Sequence, residues 1–155
     1  MDAYVVDTLP EHLQVVADKM RPDDVREIWA SGKRTPLSSL KMSYSLSKYR
    51  KTIMLDGEPI GLFGVVPQSI LGGSGTVWML GTDGITKISR KFLRGCKVYV
   101  PEMLDGFNRL ENFVDARNIV SIQWLKWLGF VIMEPEPYGH LNLPFHRFYM
   151  ENPNV

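Results

Sequence analysis

The sequence NIVSIQWLKWLGF, residues 118–130, carries the most specific pattern in the chain. Its apolar residues recur at helical spacing and a glycine follows, which predicts a compact helix over 118–128 that Gly129 ends. One face of that helix consists of Ser121, Trp124, Leu125 and Leu128. Packing alone accounts for most of this pattern. Only Asn118 and the small Ser121 one turn later suggest that a ligand passes close to the start of the helix.

Strand and helix signals on both sides of this segment predict an α+β, or mixed α/β, domain. Strands are predicted at residues 3–6, 51–55, 59–66, 76–80, 110–114, 131–134 and 145–150. Asp56-Gly57 predicts a hairpin between the second and third of these strands. Three helices are predicted between the first two strands, over residues 13–20, 22–32 and 35–44. A fourth helix is predicted over 85–99, ended by Pro101.

The segment that follows the predicted strand 76–80 is a candidate phosphate site. It reads Gly81-Thr82-Asp83-Gly84 and leads into a predicted helix with five basic residues, Lys87, Arg90, Lys91, Arg94 and Lys97. Glycines let a backbone approach a ligand closely, and free N–H groups at a helix start favour anions. One interpretation is therefore a pyrophosphate cradle. The alternative is an ordinary turn before a solvated basic helix face, which Asp83 favours because a carboxylate repels phosphate.

Composition limits the functions that the chain can have. Its 155 residues and 45 % hydrophobic content suit one domain spanning residues 1–155. Eighteen basic and seventeen acidic residues give a net charge of +1, so nucleic-acid binding is not expected. One cysteine and three histidines at no metal-binding spacing predict no metal site. The uncharged stretch 59–82 is broken by proline and by the glycine-rich residues 72–75, which predicts two strands around a loop and no membrane span.

The helix segment also carries a resemblance to a known family. Asn118, a small residue at +3, glycine at +11 and phenylalanine at +12 resemble the Asn-x-x-Ala…Gly-Phe segment of the GNAT superfamily of acetyl-CoA-dependent N-acetyltransferases. The order of predicted elements is similar to that fold over nearly the whole chain, which implies a mixed, mostly antiparallel sheet of about seven strands flanked by helices. The segments VDARN…WLKWLGF and WMLGTDG further resemble short proteins of T7-like tailed phages, described as internal virion protein A or acetyltransferase-like.

The GNAT resemblance implies a place for acetyl-CoA. In that family the cofactor lies between two splayed parallel strands, which here would be residues 76–80 and 110–114. Pantetheine would pair with the first of these strands, and the pyrophosphate would lie on the turn that follows it. The cofactor-binding residues that the resemblance implies are Met79, Leu80, Gly81, Thr82, Gly84, Asn118 and Ser121.

The sequence departs from the family in ways that bear on catalysis. The family's Gln/Arg-x-x-Gly-x-Gly/Ala signature is absent from the turn after the strand. Leu125 stands at the +7 position where a tyrosine often acts as general acid, and an aliphatic side chain has no proton to give. No catalytic residue is assigned, and the side chains left open as candidates are Glu111, His146, Tyr138 and Tyr44.

Two functions therefore remain open. The first is an acyltransferase that uses acetyl-CoA to modify an amine on a host or phage molecule in the host cytoplasm. The second is a GNAT-shaped protein that has lost this chemistry and binds a phage or host protein during infection or assembly, with packaging in the virion as an option. The phage origin rests on the resemblance alone.

Overall fold

The computed structural model describes residues 2–68 and 73–155, in which helices cover both faces of a central sheet. The strands are β1 (Ala3–Asp7), β2 (Tyr49–Leu55), β3 (Glu58–Pro67), β4 (Ser74–Gly81), β5 (Arg109–Asp115), β6 (Val131–Tyr138) and β7 (Leu143–Glu151). The helices are α1 (Pro10–Asp18), α2 (Pro22–Gly32), α3 (Pro36–Leu46), α4 (Arg90–Gly95), α5 (Val100–Leu104) and α6 (Ile119–Leu128).

The seven strands form one sheet in the order β1-β2-β3-β4-β5-β7-β6. Neighbouring strands run antiparallel except for β4 and β5, which are parallel. The predicted fold class, a mixed and mostly antiparallel sheet flanked by helices, is confirmed. The hairpin between β2 and β3 is also confirmed, since Asp56 and Gly57 both have positive φ, as a tight hairpin turn requires.

The single helix predicted over 85–99 is wrong. The segment instead forms a 3₁₀ turn (Asp83–Thr86), the short helix α4, a second 3₁₀ turn (Cys96–Tyr99) and α5. A new helix starts because the Ser89 hydroxyl accepts the N–H of Phe92 at 3.1 Å and caps it. Pro101 does not end a helix but lies in the first turn of α5, where its missing N–H costs nothing.

Two apolar cores hold the helices against the sheet. One face packs against the segment from α4 to α6, with Phe63, Leu110 and Trp124 among its buried side chains. The other face packs against α1, α2 and α3, with Leu62 and Leu80 from the sheet. Both cores meet at β3 and β4, because neighbouring residues of a strand point to opposite faces.

The uncharged stretch 59–82 forms β3 and β4, as predicted. Of the loop predicted between them, residues 69–72 lie outside the part of the chain that the structure describes. Among the described residues, none of the helices has the length and apolar character needed to cross a membrane.

Gly64 in β3 gives a direct test of this packing. A Cβ atom there would press on the carbonyl oxygen of Tyr49 and lie 2.9 Å from the ring of Trp78. We expect Gly64→Ala to lower the free energy of unfolding by about 1–3 kcal/mol, because neither neighbour is the free end of a flexible side chain. Urea unfolding followed by tryptophan fluorescence measures the change.

Gly95 in α4 is the matched control. A Cβ there meets no atom within 4 Å, and its backbone is helical. Gly95→Ala should therefore stabilise the protein by about 0.4–1 kcal/mol. Equal effects of the two substitutions would contradict the packing described around Gly64.

Candidate functional site

The parallel pair at the centre of the sheet stays together over only three residues. Ser74 to Thr76 of β4 lie beside Arg109 to Glu111 of β5, and beyond them the two strands no longer pair. Where they separate, the Asn112 side-chain amide donates to the carbonyl oxygen of Val77 at 2.8 Å. A wedge-shaped gap therefore opens between the C-terminal halves of β4 and β5.

The hydrogen-bond alternation of β3 and β4 determines which main-chain groups of β4 face the gap. Thr82, just past β4, donates its N–H to the carbonyl oxygen of Ile60 at 2.8 Å. Paired residues of an antiparallel ladder alternate between bonded and non-bonded pairs. Even-numbered residues of β4 therefore bond to β3, and odd-numbered residues turn their main-chain groups toward β5.

Met79 is the one odd-numbered position in this half of β4 whose main chain has no partner among the described residues. Val77 accepts the amide of Asn112, and Gly81 donates its N–H to the carboxylate of Asp24 at 2.9 Å. The N–H and C=O of Met79 lie between these two positions. They form a short open sheet edge inside the fold, and such an edge can pair with an extended ligand.

A cleft of about 300 Å³ runs through this gap. It is bounded by α2, α3, the first half of α6 and the end of β6, and most of its wall is apolar. Only Glu27 and Arg34 among its described lining residues carry a charged side chain. A second cavity of about 20 Å³, little more than the space of one water molecule, lies between Gly81, Ile85 and the start of α6.

A buried polar network joins α2 to the end of β4 and the start of α6. The Arg21 guanidinium donates to Asp24 at 3.0 Å and to the amide oxygen of Asn118 at 3.1 Å. The Asn118 amide nitrogen in turn donates to Asp24 at 2.9 Å. All three side chains are at most 4 % exposed, so they are held by one another and not by solvent.

Glu27 lies at the edge of this network and borders the cleft. Its carboxylate accepts the main-chain N–H of Asp115 at 2.9 Å and the Asn118 amide at 3.2 Å. No cation pairs with it among the residues that the structure describes. Burial and the negative charge of Asp24 raise the pKa of Glu27 to about 8, against these two hydrogen bonds.

Asp24 differs from Glu27 in the number of its donors. Burial raises the pKa of Asp24 as well, but Arg21, Asn118 and the N–H of Gly81 all stabilise its ionised form. Asp24 is therefore held by a cation and two further donors, a structural role that Glu27 does not share. Glu27 is the carboxyl group of the cleft that can take up and release a proton near neutral pH.

Comparison with known proteins supports the fold. No protein-family model matches the chain, and no curated protein is similar to it in sequence. Among solved structures, a GNAT-family acetyltransferase from Streptococcus pneumoniae superposes with a TM-score of 0.67 at 10 % identity, over 97 % of this chain and 100 % of that one. The fold is that of the GNAT acetyltransferases.

Two further GNAT-fold structures contain the cofactor. Spermidine N-acetyltransferase from Vibrio cholerae, in complex with CoA and spermine, has a TM-score of 0.65 at 14 % identity, covering 96 % of this chain and 95 % of that one. A Salmonella typhimurium protein with its cofactor acetyl-CoA has a TM-score of 0.67 at 12 % identity, covering 97 % and 94 %. These comparisons give no support to the resemblance to phage virion proteins.

The residues predicted to bind a cofactor fall into two groups in the GNAT fold. Met79, Leu80 and Ser121 line both the cleft and the small cavity, so they form the partition between them. Gly81 lines only the small cavity. Asn118 lines neither cavity and is buried in the polar network. No observation tests the binding role of these residues, which stays a prediction.

The turn after β4 is bonded largely to itself. The Thr82 hydroxyl accepts the N–H of Gly84 at 3.1 Å, and the Thr82 carbonyl accepts the N–H of Ile85 at 3.1 Å. A Cβ at Gly81 would lie 2.7 Å from Ile85, and one at Gly84 would lie 2.6 Å from Ile60. Close packing therefore explains both glycines, and two of the N–H groups of the predicted cradle are already occupied.

Of the four catalytic candidates left open by the sequence, one borders the cleft and three lie elsewhere. Tyr138 borders the cleft and stacks on Phe113 with ring centroids 3.9 Å apart. Glu111, by contrast, accepts a 2.6 Å hydrogen bond from Arg147 and does not line the cleft. The other two also lie elsewhere: the His146 ring bonds to a carbonyl of β6, and Tyr44 lies under the Arg50 guanidinium.

Leu125 lines the cleft and is 1 % exposed, so the position of the family's general acid is filled by an apolar side chain. In the described part of the chain, no three histidine, cysteine, aspartate or glutamate side chains group closely enough to hold a metal ion.

Sequence reasoning missed Arg21, Asp24 and Glu27. A signal existed, because Asp24 and Glu27 lie three residues apart on the face of α2 that also carries the buried Ile28. Carboxylates on the apolar stripe of a helix are unusual unless they are paired or functional. Acids are also common in the first turn of a helix, so the position of Asp24 does not by itself mark a site.

Asn118 gives a test of the network. Its side chain forms no capping hydrogen bond and bonds instead to Arg21, Asp24 and Glu27. We expect Asn118→Ala to lower the free energy of unfolding by about 1–3 kcal/mol, because it leaves buried polar groups without a partner. Denaturant unfolding measures this change, and Asn154→Ala at the exposed C-terminus should have no effect. A change as small as that of Asn154→Ala would show that the network does not hold α6 in place.

Proposed function

We propose that this protein is an acetyl-CoA-dependent N-acetyltransferase that acts on an amine. The observation that carries the proposal is the open main chain of Met79 at the cleft between the splayed strands β4 and β5. An extended chain with amide groups, such as pantetheine, can pair with the N–H and C=O of Met79 as an added strand would. The CoA and acetyl-CoA in GNAT-fold neighbours support this choice of cofactor.

The residues present fit the thioester arm of the cofactor, which is its pantetheine with the acetyl thioester, better than they fit its phosphates. The cleft offers a mostly apolar passage past Met79, Leu80 and Ser121. At the phosphate end, the turn presents the exposed Asp83, and the cations available are those beyond it, such as Lys87 and Arg90. We infer that the thioester arm provides most of the affinity and that the phosphates contribute through these exposed cations.

Bound acetyl-CoA supplies an acetyl group whose C–S bond is replaced by a C–N bond to the amine, with CoA released as thiol. Glu27 is the proton acceptor that we assign to this transfer, because its carboxylate borders the cleft and no cation neutralises it. Its raised pKa matches the needs of a general base near neutral pH. Leu125 cannot protonate the leaving group, and a thiol of ordinary pKa, about 8.5, can leave as thiolate.

Glu27→Gln tests this role while keeping the oxygen that accepts from Asp115 and Asn118. For the wild type we expect kcat/KM to rise with pH, to reach half of its plateau near the Glu27 pKa of about 8, and to level off above it. The variant should lose about 10²–10⁴-fold in kcat and should lack this pH dependence. Steady-state assays of CoA release measure both, and Glu136→Gln on the exposed β6 is the matched control. An unchanged pH profile would exclude Glu27 as the base.

Glu27→Gln should raise the stability of the protein, although it lowers kcat. Above its ordinary pKa of 4.5 an unfolded glutamate has lost its proton, whereas folded Glu27 keeps it up to about pH 8. The folded state then binds more protons, so this group makes the wild type less stable as pH rises from 4.5 to 8. Glu27→Gln removes that loss, and the variant should gain stability relative to the wild type across this range.

Ser121→Phe tests the route of the cofactor. Ser121 borders both cavities, so a phenyl ring there would fill the gap next to Met79. We expect calorimetric titration with acetyl-CoA to give saturable binding to the wild type and at least a tenfold weaker Kd for the variant. At a hundred times Kd the ligand should add about 2.7 kcal/mol to the stability of the wild type. Gln123→Phe, on the exposed side of α6, should bind as the wild type does.

A second candidate function is a GNAT-shaped binding or virion-associated protein without catalysis, in a phage-infected cell. Leu125 at the position of the family's acid favours it, and so does the turn whose N–H groups are bonded internally. In this proposal the partner is a phage or host protein, and the location is the host cytoplasm or the virion. Both partner and location rest on the sequence resemblance. Absence of acetyl-CoA binding by the wild type at millimolar concentration would favour it over the enzyme.

A further inference from the structure

The charges on the wall of the cleft bear on the nature of the acceptor. Among its described lining residues Glu27 is the one acid and Arg34 the one base, so the wall offers one carboxyl group and one guanidinium. A single carboxylate can balance a single ammonium group. A polyamine would bring further ammonium groups toward Arg34, where they would be repelled.

Neither side chain has an ion-pair partner among the described residues. Within that part of the chain, Glu27 accepts the main-chain N–H of Asp115 and the amide of Asn118. Arg34, which follows the C-terminal end of α2, is an exposed residue that also lines the cleft, and its guanidinium forms no ion pair with the residues that the structure describes. A carboxyl group and a guanidinium without ion-pair partners in the described part of the chain therefore border one cleft.

Hydroxyl groups accompany Arg34 on the same wall. Ser39 and Ser43 of α3 line the cleft, and Ser39 is only 7 % exposed. Neither hydroxyl has a side-chain hydrogen bond to another described residue. Hydroxyl donors next to a guanidinium suit the oxygens of a carboxylate or a phosphate, because both groups accept several hydrogen bonds.

We propose that the acceptor is a primary amine that also carries an anionic group, with its ammonium at Glu27 and its anionic group at Arg34. This inference rests on the proposed acetyltransferase function. An amino acid or a short peptide with a free carboxylate has this chemistry, and so does an amine with a phosphate group. A wholly cationic amine does not.

Arg34→Gln tests the proposal with matched acceptors. Glycylglycine has an amine and a carboxylate, glycylglycinamide lacks the carboxylate, 2-aminoethyl phosphate replaces it by phosphate, and spermidine is a polycation. We expect the wild type to prefer at least one of the two anionic amines over glycylglycinamide by tenfold or more in kcat/KM. Arg34→Gln should reduce this preference to about twofold or less through a higher KM for the anionic amines.

Lys33→Gln is the control, since Lys33 is the neighbouring exposed cation and does not line the cleft. It should leave the preference intact. The proposal is overturned if spermidine is the best acceptor, if the amide is used as well as the anionic amines, or if both variants behave alike.

Calorimetry separates this inference from the proposed function. Acetyl-CoA is titrated alone, and each amine is titrated with and without CoA. If acetyl-CoA binds but no anionic amine is preferred, only the acceptor class is wrong. If acetyl-CoA does not bind, the acetyltransferase proposal fails. Even then, binding of an anionic amine that is tenfold weaker in Arg34→Gln supports the assignment of Arg34 to the anionic group. The absence of such binding overturns that assignment.

Discussion

The carboxylate of Asp24 joins three parts of the fold that are distant from one another in sequence. It accepts from Arg21 at the entry of α2, from the N–H of Gly81 at the end of β4, and from Asn118 at the start of α6. Because these donors are buried, loss of the carboxylate would leave several polar groups unpaired away from water. This side chain fixes the wide end of the gap between β4 and β5, and Asn112 fixes its narrow end.

The same helix provides two carboxyl groups with different partners. Asp24 is paired with Arg21 and accepts two further hydrogen bonds, whereas Glu27, one turn later, has two donors and, in the described part of the chain, no cation. The electrostatic environment therefore divides two similar carboxyl groups into different roles. The position of Glu27 at the cleft follows from the structural role of Asp24, because both lie on one face of α2 and the network holds that face against β4.

The GNAT fold by itself does not decide the function. The thioester side of the candidate site has the expected opening, an unpaired main-chain segment at Met79 with a cleft beside it. The phosphate side is compact, because the Thr82 hydroxyl and carbonyl already bind the N–H groups of Gly84 and Ile85. The two sides favour different functions, so binding of acetyl-CoA is the property that separates an acetyltransferase from a GNAT-shaped binding protein.

Local patterns in the sequence determined the strands, the Asp56-Gly57 turn and the helix ended by Gly129, because alternation and turn chemistry act over a few residues. The helix over 85–99 was wrong because steps of three and four residues also fit short helices joined by 3₁₀ turns. Asn118 was predicted to contact the cofactor, which stays a prediction, whereas its bond to Arg21, 97 residues away, could not be predicted. Only the tertiary structure decided which buried polar groups meet, that Glu27 borders the cleft without a cation, and that the Met79 main chain stays open. These properties depend on how helices and strands distant in sequence pack together, and no local pattern records that packing.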